Sequence, residues 1–359
     1  MQTNIRFEER DWDRIRRDWT AWWHHDLERP MVIVNATEFQ GGEKFCVQGF
    51  GGWDVEAGKF PIEPVLDYHQ KIIETEHYYG DSWPRWWPNF GPGIVAGFVG
   101  AKVHNDANTV WFELPAKPRL TEILPQYSPE NFWWKWVQEI TRSASQRWGR
   151  QVTVAHTDLG GNLDIIASLR GTQNLLMDLY DAPQEVDRLV GETTRLWLRY
   201  YDELHEIICE ADNGTTSWTP LWCPGRYYML QCDFAYMISP KMFERFVLPD
   251  LEACCNHLDH GFYHLDGKGQ IPHLDILLGI KSLRGIQWVS GDGQPPPAEW
   301  LPLLKRIRDA GKLCQIYASP KGVLDVVREL GGKGFAFWIT ELYPPEEIEA
   351  FLHTLETLY

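Results

Sequence analysis

The sequence predicts an α/β protein: a (β/α)8 TIM barrel with an N-terminal helical extension. Three observations predict it. Eight short β-rich runs recur along the chain. Helical runs lie between them from residue 60 onward. No GxGxxG follows any β-rich run, so the fingerprint of the open dinucleotide-binding sheet is missing. Strands alternating with helices imply parallel pairing through crossover helices, and eight such units close on themselves.

The elements are taken in order. Residues 1–28, charged throughout and rich in Trp, read as a helix outside the barrel. The strands are expected at Met31–Asn35, Trp83–Phe90, Val152–His156, Thr215–Trp218, Gly261–Asp266, Gly285–Val289, Leu313–Tyr317 and Gly334–Thr340. Residues 36–66, rich in Gly and aromatics, read as a long excursion after the first strand. Ser128-Pro129, Ser239-Pro240 and Ser319-Pro320 are three copies of one helix start. Ser accepts from free amides there, and Pro at the first helical position gives up a donor that would be unpaired anyway. Pro183 opens a long amphipathic run through Leu204, and Gly311 and Gly331 suit helix C-caps.

Composition narrows the class. With 359 residues, 44% hydrophobic and 23% charged, the chain supports one sizeable core, and no repeat or linker divides residues 1–359. The formal charge of −16 argues against nucleic acid or an anionic membrane surface as partner. The N-terminus lacks the apolar stretch of a secretory signal, and seven scattered cysteines without a CxxC pair suggest reduced thiols in the cytoplasm. Nineteen tryptophans offer core packing or an aromatic-lined pocket. The Trp-rich helices also offer surface for a homodimer, which no pattern specifies.

In a barrel of this kind, chemistry sits at the C-terminal strand ends. The residues expected there are Asn35, Asn89, His156 with Asp158, Ser217 with Trp218, His264 with Asp266, Gln287, Gln315 with Tyr317, and Thr340 with Glu341. His264 and Asp266 stand out, because residues i and i+2 of a strand share one face. An imidazole and a carboxylate on that face make half of a metal site or an acid–base pair. The plainer alternative is a core histidine and a turn-capping aspartate. Glu341 would complete a His264, Asp266 and Glu341 metal set with one open position, or else is a solvated loop carboxylate. Asp292 lies in an SGDG turn, and Asn162 and Asp164 follow His156 and Asp158 near a helix start. Cys223, Cys232 and Cys314 read as buried thiols before nucleophiles.

The run DLGGNLDIIASLRGTQNLLMDLYDAPQEV from Asp158 to Val186 is similar to the uroporphyrinogen decarboxylase superfamily, as is ISPKMFERFVLPDL from Ile238 to Leu251. YHLDGKG from Tyr263 to Gly269 resembles that superfamily's fifth-strand histidine and glycine turn. The resemblance covers residues 150–350 and implies a TIM barrel. It does not extend to the decarboxylase itself. RPMVIVNATEFQGG has no Arg after Arg29, where that enzyme has paired arginines, and Asn89 falls where it has an aspartate. The superfamily's corrinoid-linked methyltransferases hold zinc with His-x-Cys and a later Cys. Here the matching positions carry His264-Leu265-Asp266 and Thr340-Glu341, so the implied ion is zinc or another divalent metal on N and O donors.

The resemblance therefore implies a metal-assisted methyltransferase or demethylase that moves a methyl group from a small O- or N-methyl substrate to a corrinoid protein. Asn89, Gln287 and Trp288 would position the substrate, Trp218 and Trp222 would wall it, and His156, Asp158 and Tyr317 would complete the lining. Two alternatives stay open. One is a metal-free decarboxylase or lyase on a small or aromatic acid, with His264 as general acid–base group and Asp266 orienting it. The other is a non-catalytic binding protein. A glycosidase is disfavoured, because TTSWTP and QIYASP end two strands without a carboxylate.

Overall fold

The computed structural model describes residues 3–37, 61–105 and 109–359. The chain begins with α1 (Glu9–Trp23), then runs through β1 (Met31–Thr37), α2 (Ile62–Thr75), β2 (Glu76–Gly80) and the two-residue β3 (Arg85–Trp86). A single turn, α3 (Val95–Phe98), leads into β4 (Lys102–Asn105) and β5 (Val110–Glu113). Next come α4 (Phe132–Trp148), the two-residue β6 (Thr153–Val154), α5 (Asn162–Arg170), α6 (Thr172–Asp181) and α7 (Pro183–Cys209). From there the chain runs β7 (Tyr227–Leu230), α8 (Pro240–Phe246), α9 (Leu248–His257), β8 (His260–Asp266), α10 (Leu274–Gly279) and β9 (Leu283–Val289). It ends with α11 (Leu301–Asp309), β10 (Leu313–Tyr317), α12 (Pro320–Leu330), β11 (Phe335–Ile339) and α13 (Pro345–Glu356).

The closed TIM barrel is not what forms. The main sheet has seven strands in the order β2-β1-β11-β10-β9-β8-β7. All its pairs are parallel except β1 with β2. Closure needs every strand paired on both sides, and three of the eight expected runs fail to supply this. Trp83–Phe90 and Val152–His156 contract to β3 and β6, which pair only with each other. Thr215–Trp218 forms no strand: Thr215 makes one antiparallel bridge to Cys223, and the carbonyl of Thr216 accepts from the His156 amide. The antiparallel β2 occupies one edge of the sheet and β7 the other. The excursion expected over 36–66 lies mostly outside the described residues, between the end of β1 and α2.

Local chemistry explains the ends of elements. Ser239 accepts from the Met242 amide and Ser319 from the Gly322 amide, so both predicted Ser-Pro caps form. Ser128-Pro129 does not start a helix. There α4 begins three residues later, because the Asn131 side chain takes the Trp134 amide at 3.0 Å. Gly331 ends α12 at φ +79°, a conformation that costs only glycine little.

Strand alternation divides the side chains into two sets. Val32, Val34, Ile286, Ile316, Phe335 and Phe337 pack into the large core beneath the helices. On the other face lie Met31, Ile33, Tyr227, Met229, Phe262, Leu313 and Ala336, which α1 covers with Trp12, Trp19, Trp22 and Trp23. The N-terminal helix is therefore an aromatic base packed on the sheet. The rings of Trp19, Trp22 and Trp23 meet edge to face, at 5.4 and 4.9 Å between centroids. Their indole N–H groups donate to the carbonyls of Asp81, Phe335 and Trp222. Arg29, at the N-terminal end of β1, grips Asp81 with two hydrogen bonds of 2.8 Å and Asp18 with a third, so it fastens α1 to the sheet. No described helix is long and apolar enough to cross a membrane.

Candidate metal centre

The face that is apolar beside α1 turns polar toward the C-terminal strand ends. Phe262, His264 and Asp266 alternate along β8, and the ladder pairs His264 with Gln287 and Gln287 with Gln315. These three side chains form one hydrogen-bonded row. The Nε2 of Gln287 donates to Oε1 of Gln315 at 2.9 Å, which leaves Oε1 of Gln287 to accept from Nδ1 of His264 at 2.5 Å. In the neutral ring this contact places the proton on Nδ1 and the lone pair on Nε2, the nitrogen that would face a metal. A ligating histidine is commonly fixed in this way through its second nitrogen. The Trp218 ring meets the imidazole edge to face at 4.9 Å.

Asp233 joins this pair. It follows β7 in a 3₁₀ turn, Asp233–Met237. One ligand atom each from Asp233, His264 and Asp266 lies within 4.8 Å of the others. The turn that carries Asp233 is held by Asp164, whose carboxylate accepts from the amides of Asp233 and Phe234 at 3.0 and 2.7 Å. After Asp266, Gly267 turns the chain at φ +75°, with its Cα facing the Tyr236 ring. Two carboxylates and an imidazole are hard N and O donors that suit a divalent ion, with coordination positions to spare.

The structure brings together some of the expected residues and separates others. His264, Asp266, Gln287 and Trp218 meet. Tyr317 joins them, and its phenol lies in the field of Asp266. Glu341 is replaced by Asp233 in the triad: β11 ends at Ile339, and Glu341 is exposed and takes the Tyr343 hydroxyl. Trp288 points away, as its position next to Gln287 requires, and packs edge-on against Trp300. Trp222 lies in the aromatic base, where its indole donates to Asn213. Asn89 closes a turn by accepting from the Gly91 amide. His156 is fully buried beside α7, stacked on Tyr201 at 4.5 Å, and burial holds its pKa well down. Asp158 is buried too, accepting from the Gly160 amide and from Gln231. Asn162 donates to Thr194 and Asp250 inside the core. Asp292 lies in an exposed turn. The thiols of Cys223, Cys232 and Cys314 are buried and pushed up by desolvation, so none is a thiolate at neutral pH.

Sequence reasoning missed three residues. Asp233 follows YYML, a short aromatic run that could have been read as a strand bounded by Pro-Gly and Cys-Asp. Arg85 and Trp338 line a cavity beside this row, with β3 supplying the arginine and β11 the indole. Arg85 lies over the Trp338 ring, 5.2 Å from its centroid. The chain matches no protein-family model and no curated protein.

Proposed function

We propose that the protein is a metal-dependent enzyme in which Asp233, His264 and Asp266 hold one divalent ion, zinc being the first expectation. The observation that supports this is the convergence of an imidazole and two carboxylates from two neighbouring strand ends, within 4.8 Å. When bound, the ion would supply Lewis-acid activation of a heteroatom on the substrate. We further infer methyl-group transfer from a small O- or N-methyl substrate to a corrinoid protein. That step rests on the likeness of YHLDGKG and ISPKMFERFVLPDL to the motifs of the uroporphyrinogen decarboxylase superfamily.

The chain's own residues have definite tasks in this reading. Gln287 and Gln315 keep the His264 proton on Nδ1 and its ring in one orientation. Asp164 positions the turn that bears Asp233. Trp218 sets its ring edge to face against the imidazole and limits its rotation at that side.

Metal content tests the proposal. Protein purified in the presence of zinc is expected to carry about one equivalent, and His264→Ala, Asp266→Ala and Asp233→Ala each to lose most of it. Glu341→Ala is expected to keep it. A full equivalent retained in all three triad variants would overturn the assignment.

A further inference from the structure

The cavity beside the His264 row, of about 360 Å³, lies between β1, α2, β3 and β11. Its walls are the indoles of Trp83, Trp86, Trp87 and Trp338. The volume falls in the range of small-molecule sites, roughly 300–1,000 Å³. The polar groups in its walls are poorly satisfied. Arg85 makes no hydrogen bond among the described residues, and its Nη1 is buried without a partner. The indole nitrogens of Trp83, Trp86 and Trp87 are likewise buried and unpartnered. Against these four donors stands one unpartnered acceptor, Oδ1 of Asn35. Buried donors without acceptors are costly, and a guanidinium is the costliest of them.

Charge points the same way. Burial lowers Arg85 only to about 10, so it is cationic at neutral pH. Glu76 also lines the cavity: burial raises its pKa, while a hydrogen bond from Tyr78 and the field of Arg85 oppose the shift, yet among the described residues neither of its oxygens forms a hydrogen bond or ion pair with Arg85. His69 is held down to about 4 and adds no charge. The cavity is thus lined largely by indoles, with one cation that lacks a hydrogen-bonded partner among the described residues and with surplus donors.

We propose that this cavity binds the carboxylate of a planar aromatic acid. The carboxylate pairs with the guanidinium of Arg85, and the ring lies among the indoles. The slot adjoins the metal centre: Trp338 and Tyr317 are 5.2 Å apart, and the Tyr317 phenol lies in the fields of both Arg85 and Asp266. That such an acid is the substrate rests on the metal-centre reading above; that it binds does not.

The test is calorimetric titration of the full-length protein with benzoate and the two-ring 2-naphthoate, in the presence of a chelator. One of the two acids is expected to bind, and its neutral amide on the order of tenfold more weakly. Arg85→Gln should weaken the acid by on the order of tenfold or more, Arg85→Lys by less, and His264→Ala should leave it unchanged. Failure of both acids to bind, equal binding of acid and amide, or loss in His264→Ala but not in Arg85→Gln would overturn the proposal. Should Arg85→Gln fail to fold, the comparison of acid with amide on the native protein decides. Because chelator is present throughout, a failed metal reading leaves this result intact.

Discussion

Asp158 carries a carboxyl group into a fully buried position, and burial pushes its pKa up to about 7, with repulsion from Asp233 adding to the effect. The hydrogen bonds from Gly160 and Gln231 oppose the shift without cancelling it. Desolvation also raises Asp164, whose carboxylate anchors the Asp233 turn. A carboxyl whose folded pKa lies above its unfolded value stabilises the fold fully at low pH, and this contribution is lost as pH rises through the folded value. Buried His69 works in the other direction, held down to about 4, but its cost falls below the ordinary imidazole range near 6.5. Between about pH 6.5 and 8 the carboxyls therefore dominate, and the melting temperature is expected to fall by a few degrees. Asp158→Asn keeps an acceptor for the Gly160 amide and should reduce that slope, the remainder belonging to Asp164. Thermal melts of both proteins across the interval measure it, and an identical slope in the two would show that Asp158 does not titrate there.

Gly285 in β9 makes the case for a single element. A Cβ added there would lie 2.1 Å from the Phe262 ring and 2.6 Å from the carbonyl oxygen of Leu313. The phenyl ring on β8 thus fills the space that a side chain on β9 would need. Gly285→Ala is expected to destabilise the protein by about 1–3 kcal/mol, because ring and backbone must both shift. Urea unfolding checks this, and an unchanged midpoint would mean that the two strands slide apart freely. The same two strands show what a sequence makes legible. The alternation Phe262, His264, Asp266 could be read directly, since spacing of two fixes the face. Gln287 followed from its place in the next strand. Asp233 could not be read this way: β7 is buried on both faces and shows no alternation, so only its aromatic composition and the flanking Pro-Gly and Cys-Asp marked the strand that precedes it. Glu341 misled because β11 stops two residues earlier, and the chain has left the sheet by then. The barrel misled for a related reason. β-rich composition marked the runs that became β3 and β6, but two-residue ladders pair only with each other and complete no ring.

Across the whole molecule, one face of the sheet serves two purposes. Its N-terminal strand ends rest on the indoles of α1, and its C-terminal ends carry the His264 row. Trp22 is at the centre of the base, fully buried, edge-on to Trp19 and Trp23 and stacked on Phe262. Phe262 precedes His264 on the same face of β8, so the base and the candidate centre share one strand with a single intervening residue. Trp22→Ala removes the indole and its hydrogen bond to Phe335, which should cost about 3–5 kcal/mol of stability. The triad, however, is held by the contacts of Gln287 and Asp164, neither of which reaches α1. Below its lowered melting temperature, Trp22→Ala is therefore expected to bind zinc with the stoichiometry of the wild type. Denaturant unfolding measures the first expectation and metal titration of the folded variant the second. A folded Trp22→Ala that no longer binds would show that the aromatic base sets the geometry of the centre through β8.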